Sequence, residues 1–205
     1  MSDYALPVII AIALVPMLFA ITVHEVAHGW VAKRLGDPTA QMLGRLTLNP
    51  FKHIDPIGTI LVPIVMIASM NVAFGWAKPV PVTWENLRHP KRDMAWVAIA
   101  GPAANLLMAL IWMGVLRLSS YLPQGEAGPA DILLLMAIYG ILINLVLMLF
   151  NLIPVPPLDG GRVAVGLLPR YWAWQLNRLE PFGLFLIIAF MVIAVKWDIL
   201  QPLML

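Results

Sequence analysis

The stretch Thr22-Val23-His24-Glu25-Val26-Ala27-His28-Gly29 sits inside an apolar run that extends from Leu6 to Arg34. On a helix a step of four residues turns about 400°, so His24 and His28 stack on one face and can hold a single metal ion, with Glu25 beside them. Neutral imidazoles suit Zn²⁺, and two protein ligands leave room for a third and for a water whose pKa the metal lowers toward about 7. Glu25 is poorly placed to be that third ligand from the same helix, but well placed to take the proton from the water. The chemistry this points to is metal-assisted hydrolysis. A histidine on an apolar helix face is often only a hydrogen-bonded core residue. Against that, the chain holds 4 His in 205 residues, and shuffling it would produce the pattern with a probability on the order of 10⁻³. Three ionisable groups in one turn at membrane depth are also costly, at about 2.5–3.5 kcal/mol for a charge at the centre of a span.

Working outward, the chain is 61% hydrophobic and 12% charged, with a mean hydropathy of +0.86, outside the balance of a soluble domain. It reads as an all-α, polytopic membrane protein, with a single membrane-embedded domain over residues 1–205 and its core at about 6–165. Without cysteine, a zinc site must be built from His and carboxylates. The net charge of +2 is small, and the basic residues serve as topology signals, so no nucleic-acid partner is expected. The flank before Leu6 carries no Lys or Arg, so the first run is expected to be a true span and not a cleaved signal peptide.

That span, residues 6 to 34, is closed by Lys33 and Arg34 and by the Gly36-Asp37-Pro38 stop, which puts its C-terminal end on the cytoplasmic side. The His pair then lies about one to two turns below Lys33. The segment from Gly44 to Pro56 alternates polar and apolar residues, and Arg45 to Leu48 reads as a strand or short β-hairpin at the membrane surface, able to pair with an unwound substrate backbone. His53 in this segment is a candidate third ligand or substrate contact, or else part of a local network with Asp55, and His89 is a solvated interfacial residue. Residues 57 to 74 are apolar but barely long enough to cross, with Pro63 in their middle. Basic residues on both sides place both flanks in the cytoplasm, which a re-entrant segment would reconcile.

Residues 94 to 118 form a clear span, in which Gly101-Pro102-Ala103-Ala104-Asn105 supplies small residues for close helix packing. Residues 131 to 153 return inward and carry Asn144 and Asn151, which must find partners inside the bundle. A last span is expected at about 182 to 197, after an interfacial belt of Arg170, Tyr171, Trp172, Trp174 and Arg178. The total is about five transmembrane helices.

The return span ends in Asn151-Leu152-Ile153-Pro154-Val155-Pro156-Pro157-Leu158-Asp159-Gly160-Gly161-Arg162. Three prolines break the helix at membrane depth, and the backbone around Asp159 is irregular and able to approach a ligand. A lone carboxylate there is costly unless it binds a cation, and it lies at the depth and on the side of His24 and His28. Asp159 is therefore the expected third zinc ligand, with a surface pair to Arg162 as the alternative.

His24-Glu25-x-x-His28 in one span and Asn151-x-x-Pro154-x-x-x-Leu158-Asp159-Gly160 at the end of a later one resemble the site-2 protease family of intramembrane zinc metalloproteases. Gly101-Pro102 with Asn105, and the Phe74-Gly75 turn, are similar to that family's core. An extended metzincin motif fits worse, since Val31 and Arg34 stand where its glycine and third histidine would be. The resemblance implies one Zn²⁺ held by His24, His28 and Asp159, Glu25 as general base and later proton donor, and Asn151 near the scissile carbonyl. It implies a substrate that is a transmembrane helix of another membrane protein, locally unwound in the lipid bilayer. The expected form is compact, without the PDZ or nucleotide-sensing domain of many relatives, so that substrate choice falls to the membrane-embedded loops. A multi-pass protein of a prokaryotic cell membrane, with its site toward the cytoplasm, is expected, and a homo-oligomer is compatible with it. The alternative is a metal-binding membrane transporter or chaperone, in which the same three residues bind an ion and Glu25 is not needed as a base.

Overall fold

The computed structural model describes residues 6–70, 75–122, 128–183, 185 and 187–189. Its frame is three long helices, α1 (Leu6–Arg34), α4 (Pro90–Ser119) and α5 (Pro129–Asn151), with the short α2 (Thr39–Met42) and α3 (Val62–Met70) between the first two. The three long helices are the ones long and apolar enough to cross a membrane among the described residues. At 29 residues, α1 is about 44 Å long, enough to cross the hydrocarbon layer and carry Lys33 and Arg34 beyond it. Helix α4 is central and packs against α1, α5 and the short α6 (Asp159–Leu167). Buried Pro16 and Pro102 sit inside α1 and α4, where neighbouring helices can accommodate the missing N–H. The outward faces are apolar, with Ile10, Phe19, Leu107, Ile111, Leu142 and Leu149 all exposed, as surfaces that meet lipid require.

Three helices that can cross a membrane are found among the described residues, against an expectation of about five for the chain. Among the described residues of the 57 to 74 stretch there is no crossing helix: a π-helical turn, Pro56–Leu61, runs into α3, Val62–Met70, of 9 residues. Pro56, Gly58 and Pro63 interrupt a regular start, and the ends of the excursion are tied to each other. Trp76 N–H donates to Gly58 O and Thr59 Oγ1 donates to Trp76 O, while a Cβ on Gly58 would lie 2.2 Å from Trp76 Nε1. Most of the expected last span, 182 to 197, and Phe74 of the expected turn lie outside the described residues. Helix α7 (Arg170–Asn177) carries the expected belt, with Tyr171, Trp172 and Trp174 exposed and Arg178 over the Trp174 ring.

The expected β-hairpin is also corrected, because no strand occurs among the described residues. Residues 45–49 and 75–83 are irregular, and the link between them is a guanidinium instead of a backbone ladder: Arg45 Nη2 donates to Lys78 O at 2.9 Å and Pro79 O at 3.4 Å. Pro79 and Pro81 have no N–H to give. The amides between and beside them are committed elsewhere, Lys78 to His53 O, Val80 to Glu25 Oε2 and Thr83 to Asp37 Oδ2. Even so, both segments pack over the metal-motif turn of α1: a Cβ on Gly29 would lie 2.6 Å from Leu46 and 2.8 Å from Val80.

Asp37 closes the end of α1. Fully buried, it accepts from the amides of Thr39 and Thr83, the Thr39 hydroxyl and Asn86 Nδ2. Burial on its own would raise its pKa, but these donors outweigh it and hold the carboxyl below the usual carboxylate range. A depressed folded pKa contributes stability above the unfolded value of about 3.9, and that contribution disappears as pH falls through the folded value. In detergent, Asp37→Asn should lower thermal stability at neutral pH by the equivalent of about 1–3 kcal/mol. The gap to wild type should be flat from pH 5 to 8 and close only below about pH 4; a gap that widened with acid would refute the assignment.

Candidate metal centre

His24 and His28 occur one turn apart on α1 because the helix runs without a break through the motif. Their Nε2 atoms are 3.0 Å apart. Asp159 at the first turn of α6 brings Oδ2 to 3.2 Å from His24 Nε2 and 3.3 Å from His28 Nε2. The two Nδ1 atoms point away from the cluster. His28 Nδ1 is 2.7 Å from Val97 O, a backbone carbonyl that can only accept, and His24 Nδ1 is 2.6 Å from Asn105 Oδ1. Protons on Nδ1 leave both Nε2 atoms as lone pairs. Two lone pairs and a carboxylate oxygen then face one another in a buried place, and Asp159 Oδ2 has no hydrogen-bond donor. Mutual repulsion of that kind is relieved by a cation. A set of two imidazoles and one carboxylate, all oriented by partners behind them, fits zinc with one coordination position left open.

The remaining expectations divide. Glu25 is half-buried beside the cluster's own helix turn, with Oε2 accepting from Val80 N–H at 2.7 Å. Asn151 is at the end of α5, where its Nδ2 donates to Leu147 O at 3.0 Å; no hydrogen bond joins it to the His and Asp cluster among the described residues. His53 is buried, and its Nε2 donates to Thr47 O at 2.9 Å. It is neither in the cluster nor bonded to Asp55, whose carboxylate caps Ile57 and Gly58. His89 is exposed at the start of α4, as expected. Arg162 pairs with Glu180 at 3.6 Å and lies over Trp84, so it leaves Asp159 to the histidines.

Gly101 carries more than the packing role expected of it. A Cβ there would lie 2.4 Å from His28 Nε2 and 2.5 Å from His24 Cε1, so α4 can press against the imidazoles only because this position has no side chain. The signal was present in the sequence as Gly101 and Asn105, four residues apart and so on one helix face, in a span otherwise apolar. Farther along, Gly160 and Gly161 let α6 begin against the backbone of Leu152, Ile153, Val155 and Pro156, which delivers Asp159 to the histidines.

Membrane-crossing helices that bring two imidazoles of α1 together with the Asp159 carboxylate of α6 define a membrane-embedded protein with a candidate metal site. The model of Peptidase family M50 matches residues 12–127. YwhC of Bacillus subtilis (strain 168), named a candidate zinc metalloprotease, is 37% identical over 191 residues, 93% of this chain and 84% of its own length. Rip2 of Mycolicibacterium smegmatis, named likewise, is 33% identical over 144 residues, 70% of this chain and 52% of its own length, so the chain spans about half of that relative. No solved structure matches the chain. The chain belongs to peptidase family M50 and is an integral membrane metalloprotease. Asp159 lies beyond the residues that the family model matches, so its assignment rests on the geometry above.

Gly101→Ala should weaken divalent-metal binding about 10- to 100-fold by displacing the imidazoles, read by competition with a chromophoric chelator. Gly114→Ala on the same helix, where a Cβ meets nothing within 4 Å, should leave binding unchanged. Equal effects of the two would remove the packing argument.

Proposed function

We propose that this protein is a zinc-dependent intramembrane endopeptidase that cleaves transmembrane helices of other membrane proteins. The observation that carries the reading is the convergence of Asp159 Oδ2, from α6, on His24 Nε2 and His28 Nε2 of a helix built to cross a bilayer. Those three residues would hold one Zn²⁺, which when bound acidifies a water and polarises a peptide carbonyl. Glu25 accepts the proton of the attacking water and returns it to the leaving amine. Val80 N–H fixes the direction of that carboxylate by holding Oε2, which leaves Oε1 as the oxygen that works. Asn151 sits at the helix end that leads to Asp159, and its amide would swing from Leu147 O to donate to the substrate carbonyl as charge develops there.

A helix in lipid has all its backbone groups paired, so a substrate must unwind locally before a carbonyl can reach the site. Gly, Pro, Ser or Asn near the scissile bond lowers the cost of that step. Residues 57–74 form a re-entrant segment, a reading supported by the bonds that join Gly58 and Thr59 to Trp76. The site then opens toward the cytoplasm of a prokaryotic cell, the side where Lys33, Arg34, Lys91 and Arg92 gather.

Glu25→Gln should keep one zinc per chain and reduce cleavage by about 10²- to 10⁴-fold. Quantitative proteomics of membranes expressing wild type or Glu25→Gln should show a defined set of membrane proteins building up only with the variant. Zinc bound in both with no such set would favour an ion carrier. Asn151→Ala should leave zinc in place and lower kcat by about 10²- to 10³-fold, and a change in KM alone would reassign it to substrate docking.

A further inference from the structure

Two asparagines at the centre of the bundle have no part in the reaction just described. Asn105 on α4 and Asn144 on α5 are each at 0% exposure, in a bundle where an unpaired amide has no water to turn to. They form one chain of hydrogen bonds. Asn144 Nδ2 donates to Gly140 O at 2.8 Å, and Asn105 Nδ2 donates to Asn144 Oδ1 at 2.9 Å and to Ala20 O at 3.3 Å. Asn105 Oδ1 meets His24 Nδ1 at 2.6 Å.

The direction of this chain is set at its far end. Gly140 O and Ala20 O are backbone carbonyls and can only accept, so Asn144 must turn its nitrogen to Gly140 and its oxygen to Asn105. Asn105 must then turn its nitrogen to Asn144 and Ala20, and its oxygen to His24. Reversing either amide would set oxygen against oxygen. His24 is thereby required to carry its proton on Nδ1 and to present Nε2 as a lone pair. His28 needs no such device, because Val97 O, part of the α4 backbone, orients it directly.

We propose that Asn144 is a positioning residue for His24: acting through Asn105, it fixes from α5 the tautomer and ring plane of an imidazole that it does not touch. The same helix ends at Asn151 and leads to Asp159, so α5 governs two of the three candidate ligands. This inference rests on the zinc-site reading above, and its test is zinc affinity, which requires no substrate.

Zinc affinity is measured by chelator competition on purified full-length protein in detergent, beside thermal unfolding of the zinc-free form. Asn105→Leu should weaken zinc binding by up to about 100-fold and Asn144→Leu by about tenfold. The double variant should be no weaker than Asn105→Leu, because the two residues act in series. Asn144→Asp should restore the affinity lost in Asn144→Leu, since a protonated carboxyl in this apolar site can still accept from Asn105 and donate to Gly140 O. Unchanged affinity in a folded Asn144→Leu, additive losses in the double variant, or no recovery with Asn144→Asp would each overturn the proposal while leaving the zinc site intact. Wild-type protein that bound no zinc would overturn the site itself, and this inference with it.

Discussion

Two imidazole lone pairs and one carboxylate oxygen held within 3.3 Å of one another repel unless a cation lies among them, and much of this fold keeps them there. The histidines are one turn apart on α1. The carboxylate arrives from 131 residues later in the chain, so α4, α5 and the break after Asn151 must all be placed correctly. Gly101 lets α4 touch the imidazoles, and Gly160 and Gly161 let α6 start against the preceding loop. Helix packing at these three points is a condition for the donor set to form.

The surroundings obey a second constraint, which is that a polar group removed from water needs a partner. Asp37 has four donors, Asn105 and Asn144 share a chain, and Glu25 takes the amide of Val80. Apart from the two Thr39 bonds, these pairings join segments distant in sequence, so the bonds that satisfy polar groups also hold the irregular segments against the helices. Arg45, which bridges to Lys78 O and Pro79 O, does for residues 75–83 what a β-ladder would do if the prolines allowed one.

Those distinctions explain what the sequence could and could not tell. Helix α1 was legible to its end, because a long apolar run closed by Lys33, Arg34 and Gly36 admits one reading. His24, His28 and Asp159 were legible as a set because a charge at membrane depth demands a use. The hairpin at Arg45–Leu48 was misread: alternation of polar and apolar residues describes which side chains are covered, and here the cover comes from α1 and the 75–83 segment without backbone pairing. Asp37 looked like part of a helix stop, and nothing local reveals that its donors come from Thr83 and Asn86. Asn144 was expected to need a partner and Asn105 was read only as part of a packing surface; which atom of each faces which partner depends on contacts across three helices.

The groups of the site also differ in how they are held. His24 and His28 belong to the interior of a long helix pressed on α4, where movement would disturb packing along both. Asp159 is the first residue of the short α6, and Glu25 is oriented by an amide of the proline-flanked segment around Val80. Local openings draw on loops and helix ends before they draw on packed helix interiors. The two carboxylates, one a candidate ligand and the other the candidate base, therefore depend on a helix end and an irregular segment for their orientation, while the imidazoles stay where the bundle sets them.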